Sequence, residues 1–339
     1  MKKVVNVLKY LLLLAVSVFL MAYALRSIDF AVVKAQLAQA NYFWVALTLV
    51  VSLLGYLSRA VRWQMQYVPL GYKPSFWQTY HAMMVGYLAN VVLPRAGEVI
   101  RCTFLKRSGN VPVNVSLGTV ITERVIDLVM LLGCMGVTLL VESDRLHEFF
   151  LGIFSDKYQK LEQNLQTLYL LLAVGVLGGA LGAWVVYKNI ERLQRNLLFQ
   201  KVSGFVRGLW VGVFSIRKME RKGMFVFHTV FIWFSYWLTT YLAFFALPGT
   251  SGLSWQAGMA ILVVGGLGMS APVQGGIGVY HILVRTALLL YAVPLETGMA
   301  YALIVHTTGA LQVVVMGAVS LIAGVVGQKK EAALVEQTA

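Results

Sequence analysis

Asn90-Val91-Val92-Leu93-Pro94-Arg95-Ala96-Gly97-Glu98-Val99-Ile100-Arg101 is where a simple count of membrane spans fails. The chain enters this stretch from an apolar run, 76–93, and leaves it through Lys106 and Arg107. Upstream, Arg59, Arg62 and Lys73 read as an inner loop; downstream, the acid-rich stretch 142–166 reads as an outer one. An odd number of crossings must separate the two, yet only two apolar stretches, 76–93 and 117–141, lie between them. An outer loop at 94–107 would be too basic for the charge rule. Residues from about 76 to about 107 therefore read as a re-entrant segment that dips into the membrane and returns to the inner side. Non-helical backbone at that depth is tolerated only where protein or a wet cavity surrounds it. The segment implies a cavity.

The rest of the chain supports a membrane setting. Apolar residues make up 59% and charged residues 12%, against roughly 25% charged in a soluble domain. Runs such as 10–25, 42–57, 168–186 and 224–247 approach or exceed the length of about 20 residues that crosses the hydrocarbon core as a helix. Short alternating segments of the β-barrel kind do not appear. The fold class expected is all-α: a polytopic integral membrane protein of about eight transmembrane helices with one or two re-entrant segments.

The net charge of +14 sits beside apolar runs, which points to topology and anionic lipid rather than nucleic acid. Lys2, Lys3 and Lys9 put the N-terminus in the cytoplasm of a multi-pass inner-membrane protein. The first apolar run, ending in Ala22-Tyr23-Ala24, also imitates a cleavable signal, and an uncleaved first helix is the reading taken. Residues 187–222 carry nine basic and two acidic side chains and form a cytoplasmic segment. Its apolar face suits a helix lying in the interface, although a solvated basic loop fits as well. One transmembrane domain, 1–328, is expected, followed by a short polar tail, 329–339.

A gapless shift of 178 residues pairs Trp77-Gln78 with Trp255-Gln256, Ala82 with Ala260, Val85 with Val263, Pro94 with Pro272 and Gly97 with Gly275. Weak internal symmetry with Gly/Pro-interrupted apolar segments is a pointer to a transporter site at a repeat interface. Residues from about 255 to about 278 could then form a second re-entrant segment, leaving the C-terminus outside. Lys329 and Lys330 argue for eight crossings and an inner C-terminus.

Ionisable residues in an apolar context are costly, roughly 2.5–3.5 kcal/mol each at the bilayer centre, and persist when paired or facing a polar cavity. Two groups stand out: Asn90, Arg95, Glu98 and Arg101, then Glu123, Arg124 and Asp127. Glu123 and Asp127 lie one helical turn apart, and Arg124 is within reach of Asp127. An ion-pair network locking the re-entrant segment is one reading. The other is a substrate site in which arginine binds an anionic head group, because guanidinium pairs with phosphate bidentately and keeps its charge. Pro94, Gly97, Pro272, Gly275, Gly276 and Gly278 are the expected breaks and hinges. The histidines show no metal-binding spacing, Cys102 and Cys134 no CxxC, and no phosphate-loop motif is present. No metal, cofactor or catalytic residue is expected. His281 and His306 read first as packing residues.

The run from Asn90 to Arg101, the Glu123-Arg124-Val125-Ile126-Asp127 motif and Gly275-Gly276-Ile277-Gly278 together resemble the lysylphosphatidylglycerol synthase transmembrane-region family, also called the flippase-like domain family. The resemblance spans nearly the whole chain. It implies an inner-membrane protein of about eight spans and, without the aminoacyltransferase domain of the larger namesakes, no aminoacylation. Many members carry an acidic residue where this chain has His281. The implied function is transbilayer movement of an anionic phosphorylated lipid, a phospholipid or an isoprenoid phosphate, with membrane lipids as partners. The alternative is a non-transporting partner or regulator of an envelope-biosynthesis enzyme.

Overall fold

The structure, a computed structural model, describes residues 15–26, 28–93, 96–143, 188, 219–271 and 273–338. All regular elements among them are helical. That is what lipid imposes, since each backbone N–H has to find its partner inside its own segment. Helix α1 (Ala15–Leu25) turns by 90° into α2 (Phe30–Ala38). Asp29 starts α2 by accepting from the amides of Ala31 and Val32, an ordinary N-cap.

Eight further α-helices among the described residues fall into two sets of four. The first is α3 (Tyr42–Tyr67), α4 (Phe76–Val92), α5 (Gly97–Gly109) and α6 (Val113–Val141). The second is α7 (Lys222–Phe244), α8 (Trp255–Ser270), α9 (Val279–Leu289) and α10 (Leu295–Thr338). Each helix of the second set begins about 180 residues after its counterpart, as expected of an internal repeat. The packing respects the exchange: α3 lies on α7, α4 lies on α10, and α6 lies on α8. The short echo between 77–97 and 255–275 thus belongs to two whole four-helix units.

In both units the second and third helices form a hairpin around a break. Along α4 and α5 the contacts run antiparallel, from the Gln78 side chain on the Ser108 carbonyl to Asn90 on Gly97. A Cβ on Gly97 would lie 2.1 Å from the Gly86 carbonyl oxygen, so only glycine lets the two backbones touch. Small residues take this role in membrane bundles, where lipid removes most of the hydrophobic drive between helices. In the second unit the break closes through Gly278, at φ +84° and against the backbone of Leu20 and Met21 in α1. The two breaks meet, because the Gln274 side-chain Nε2 donates to the Val92 carbonyl at 3.4 Å.

Each unit has its own core. Trp63, Tyr67, Met83, Met84 and Leu105 are buried in the first; Phe244, Ile261, Leu288 and Tyr301 are buried in the second, which α1 and α2 complete.

Three helices among the described residues are long and apolar enough to cross a bilayer: Tyr42–Leu70, Val113–Val141 and Leu295–Gly324. The bent α1–α2 pair makes a fourth if taken as one span. The apolar run 168–186 and most of 142–166 and 187–222 lie outside the described residues, as do Pro94, Arg95 and Pro272. Two expectations change. Residues 329–338 continue α10 instead of leaving it as a separate tail. Arg59 and Arg62 are no loop residues: α3 runs unbroken to Tyr67 and buries both.

Candidate functional site

The site grows from one face of α3. Ser58, Arg59, Arg62 and Gln66 recur at helical spacing and are all buried. Opposite them α6 presents Glu123 and Asp127, one turn apart on one face. The Arg59 guanidinium meets Asp127 at 2.6 Å and donates to the Tyr236 hydroxyl of α7 at 2.5 Å. Arg62 reaches Asp127 at 2.9 Å and Glu123 at 3.7 Å. The hairpin contributes Arg101, whose Nη2 donates to Glu123 at 2.6 Å while its guanidinium lies 4.4 Å from the centre of the Trp63 ring. Four helices from both units therefore converge on one ionic cluster.

The cluster is buried and unbalanced. Glu123 and Arg62 have fully buried side chains, and those of Arg101 and Asp127 are 2% and 15% exposed. Three guanidinium groups face two carboxylates, which leaves one positive charge in excess. The Nε atoms of all three arginines and the Nη1 atoms of Arg62 and Arg101 find no acceptor among the described residues. A buried donor left in this way costs about 1–3 kcal/mol. Such donors suit an anionic oxygen, and guanidinium is the side chain that offers several of them in one plane.

Two other expected site residues prepare this arrangement. Asn90 accepts from the Gly97 amide at 2.7 Å. Ala96, at the N-cap position of α5, makes no side-chain cap, so Asn90 supplies from the preceding helix what the local sequence lacks. Asn90→Ala is expected to destabilise the hairpin by about 1 kcal/mol, the usual worth of a cap. A melting point in detergent lowered by a few degrees, largely restored in Asn90→Asp, is the readout. Glu98 stands in the first turn of α5, where a helix N-terminus favours negative charge. Its Oε2 is buried without a partner among the described residues.

Of the sequence-derived candidates, Arg101, Glu123 and Asp127 come together, with Asn90 and Glu98 beside them. Arg124 is exposed and acts on Asp127 electrostatically, while the ion pairs of Asp127 come from Arg59 and Arg62 of α3. Gly275, Gly276 and Gly278 have positive φ and shape the second break. Sequence reasoning missed Arg59, Arg62 and Tyr236. The available signal was the spacing of Ser58, Arg59, Arg62 and Gln66 along one face of a helix whose other residues are mostly apolar. No metal-binding group of three or more His, Cys, Asp or Glu side chains occurs among the described residues.

A family model described as lysylphosphatidylglycerol synthase TM region matches residues 10–317. No curated protein matches the sequence.

Proposed function

The chain belongs to the lysylphosphatidylglycerol synthase TM region family, and from that premise we propose that it carries an anionic phosphorylated lipid across the bilayer. Membership makes it a multi-pass membrane protein of lipid metabolism or transport. The finer reading rests on one observation: a buried cluster with a surplus guanidinium charge and unpartnered donors, built where the first hairpin meets α3 and α6.

An unshielded phosphate in hydrocarbon is opposed by several to tens of kcal/mol of lost solvation. Arg59, Arg62 and Arg101 would replace part of that hydration by donating to phosphate oxygens. Glu123 and Asp127 keep the same arginines neutralised and aligned when no head group is present. Phosphate and carboxylate would then exchange on a common set of donors, so the empty cluster never exposes bare charge to lipid. No bond is made or broken in this scheme, and the protein acts as a carrier. Asn90, Glu98 and the glycines of the two breaks would hold the hairpins in place. Arg95 and Arg124 remain candidates for head-group contact. We place the protein in the inner membrane with a cytoplasmic N-terminus, on the charge pattern of Lys2, Lys3 and Lys9.

The test is head-group accessibility in liposomes. Purified protein is reconstituted with a fluorescent anionic phospholipid, and a membrane-impermeant quencher reports how much label reaches the outer leaflet. Protein-dependent loss of the protected fraction is expected, slowed at least about ten-fold by Arg62→Gln, the equivalent of roughly 1.4 kcal/mol on the barrier. If neither anionic phospholipids nor an isoprenoid phosphate moves, the carrier reading fails. Stable co-purification with an envelope enzyme would then favour the non-transporting alternative.

A further inference from the structure

Tyr87 stands beside the ionic cluster and takes no part in its ion pairs. It follows Gly86 on α4, and a Cβ on Gly86 would lie 2.8 Å from the Cβ of Arg101. The glycine therefore lets α5 lie close enough to bring Arg101 alongside the tyrosine. The Tyr87 ring also meets Arg59 of α3, whose guanidinium carbon lies 6.0 Å from the ring centre. Tyr87 is within electrostatic range of Arg59, Arg101 and Tyr236. Its hydroxyl is buried and has no hydrogen-bond partner among the described residues, although a buried phenol usually finds one.

Unpaired donors of two kinds thus share one neighbourhood: the Tyr87 hydroxyl, and the Nε atoms of Arg59 and Arg101 with the Nη1 of Arg101. Burial without a partner is costly for each of them. The exposure of the surrounding side chains shows where a ligand arrives. Arg62, Glu123 and Arg101 are closed off, whereas Asp127, Tyr56, Tyr87 and Tyr236 are half-buried. The rings of Tyr56 and Tyr87 lie 5.8 Å apart. The tyrosine side is therefore the open edge of the cluster.

We propose that Tyr87 is a ligand of the anion site: its hydroxyl donates to an oxygen of a phosphoryl group, lipid-borne or free, that Arg59 and Arg101 hold through their unpaired N–H groups. A phosphoryl group offers more lone pairs than two guanidinium groups fill. The phenol adds a donor and no charge, where the cluster already holds one positive charge in excess. A further cation at this place would raise the desolvation penalty of the empty site. The assignment rests on the anion reading of the cluster given above, but it requires binding only, not movement across the bilayer. It carries a signature that a structural tyrosine lacks. Removing a hydroxyl that has no partner relieves the empty protein of a burial penalty, while the bound anion loses a donor.

The test follows the melting point of the full-length protein in a maltoside detergent and phosphate-free buffer. Phosphatidylglycerol, inorganic phosphate or diacylglycerol is added in turn. Phosphatidylglycerol is expected to stabilise the native protein, and diacylglycerol, which lacks the phosphate, is not. Without ligand, Tyr87→Phe should melt at or above the native temperature. Its apparent affinity for phosphatidylglycerol should nevertheless fall at least about ten-fold, the worth of one hydrogen bond to a charged group. Tyr301→Phe is the contrast: that hydroxyl donates to the Thr240 carbonyl at 2.8 Å, so its loss should lower the melting point and leave the affinity unchanged. Native affinity in Tyr87→Phe, or a ligand-free melting point lowered as in Tyr301→Phe, overturns the proposal. So does a native protein that neither phosphatidylglycerol nor inorganic phosphate stabilises. Tyr87-dependent binding of inorganic phosphate alone keeps the site and removes the carrier reading. Tyr87-dependent lipid binding with no movement in the liposome assay does the same; lipid movement with unchanged affinity in Tyr87→Phe does the opposite.

Discussion

Glu123→Ala is expected to destabilise the protein by about 3–5 kcal/mol, the usual consequence of removing one partner from a buried ion pair. The reasoning is one of stranded charge. Glu123 has no exposed side-chain surface and serves Arg101 at 2.6 Å and Arg62 at 3.7 Å. Without it, Arg59 and Arg62 share Asp127 alone, and Arg101 keeps only the face of Trp63. Loss of a monodisperse peak in fluorescence-detected size-exclusion chromatography, with a collapse of the melting transition, is the readout. A paired replacement separates stability from function. Arg101→Met with Glu123→Leu removes one charge of each sign, leaves the excess at one, and fills the same volume with apolar atoms, which is often neutral or stabilising. This double variant should fold yet move lipid poorly, because one of the proposed phosphate donors is gone. If it carries lipid at the native rate, Arg101 and Glu123 are scaffolding only.

Gly97→Val should be about as damaging, for a steric reason. Even the first carbon of the new side chain would lie 2.1 Å from the Gly86 carbonyl and 2.6 Å from the Asn90 amide group. No flexible side-chain end is available to move aside from that carbonyl, so the hairpin has to open and the Asn90 cap is lost with it. Overpacking of this kind costs about 1–3 kcal/mol and occasionally more; backbone against backbone belongs to the upper end. Gly133→Ala is the control. That glycine lies inside α6 with nothing within 4 Å of a new Cβ among the described residues, and the change should stabilise by about 0.5–1 kcal/mol. Equal melting points for Gly97→Val and the native protein would show that the two helices are not in contact at this point.

Much of the helical plan was legible because lipid restricts the choices: an apolar run of sufficient length has to be a helix. The break after Leu93 was legible too, through Pro94 and the failure of the charge rule around it. Glu123 and Asp127 announced a common face by their spacing. What stayed hidden was the destination of Arg59 and Arg62. Basic residues at the end of an apolar run usually mark the membrane edge, and nothing local to α3 shows that Asp127, 65 residues beyond Arg62, comes back to meet it. Arg124 plays a more distant part: it is exposed, and its charge still reaches Asp127. A helix turns by about 100° per residue, so the immediate neighbour of a buried Glu123 can face away from it entirely. Pair partners in a membrane bundle are set by which helices pack together, and that is a property of the whole chain.

The exchange of α4 with α8 and of α6 with α10 across the α3–α7 contact is the contact pattern of a two-fold homodimer, drawn within one polypeptide. A symmetric dimer must place the same chemistry on both sides of its axis. A tandem chain is free of that obligation: once two copies are fused, each can mutate alone, and the tether keeps them associated at high effective concentration while they diverge. Here one copy has Arg101 and Glu123 at the hairpin contact, and the other has His281 and His306. The tether lets equivalent positions in the two halves carry different chemistry while the halves stay packed together.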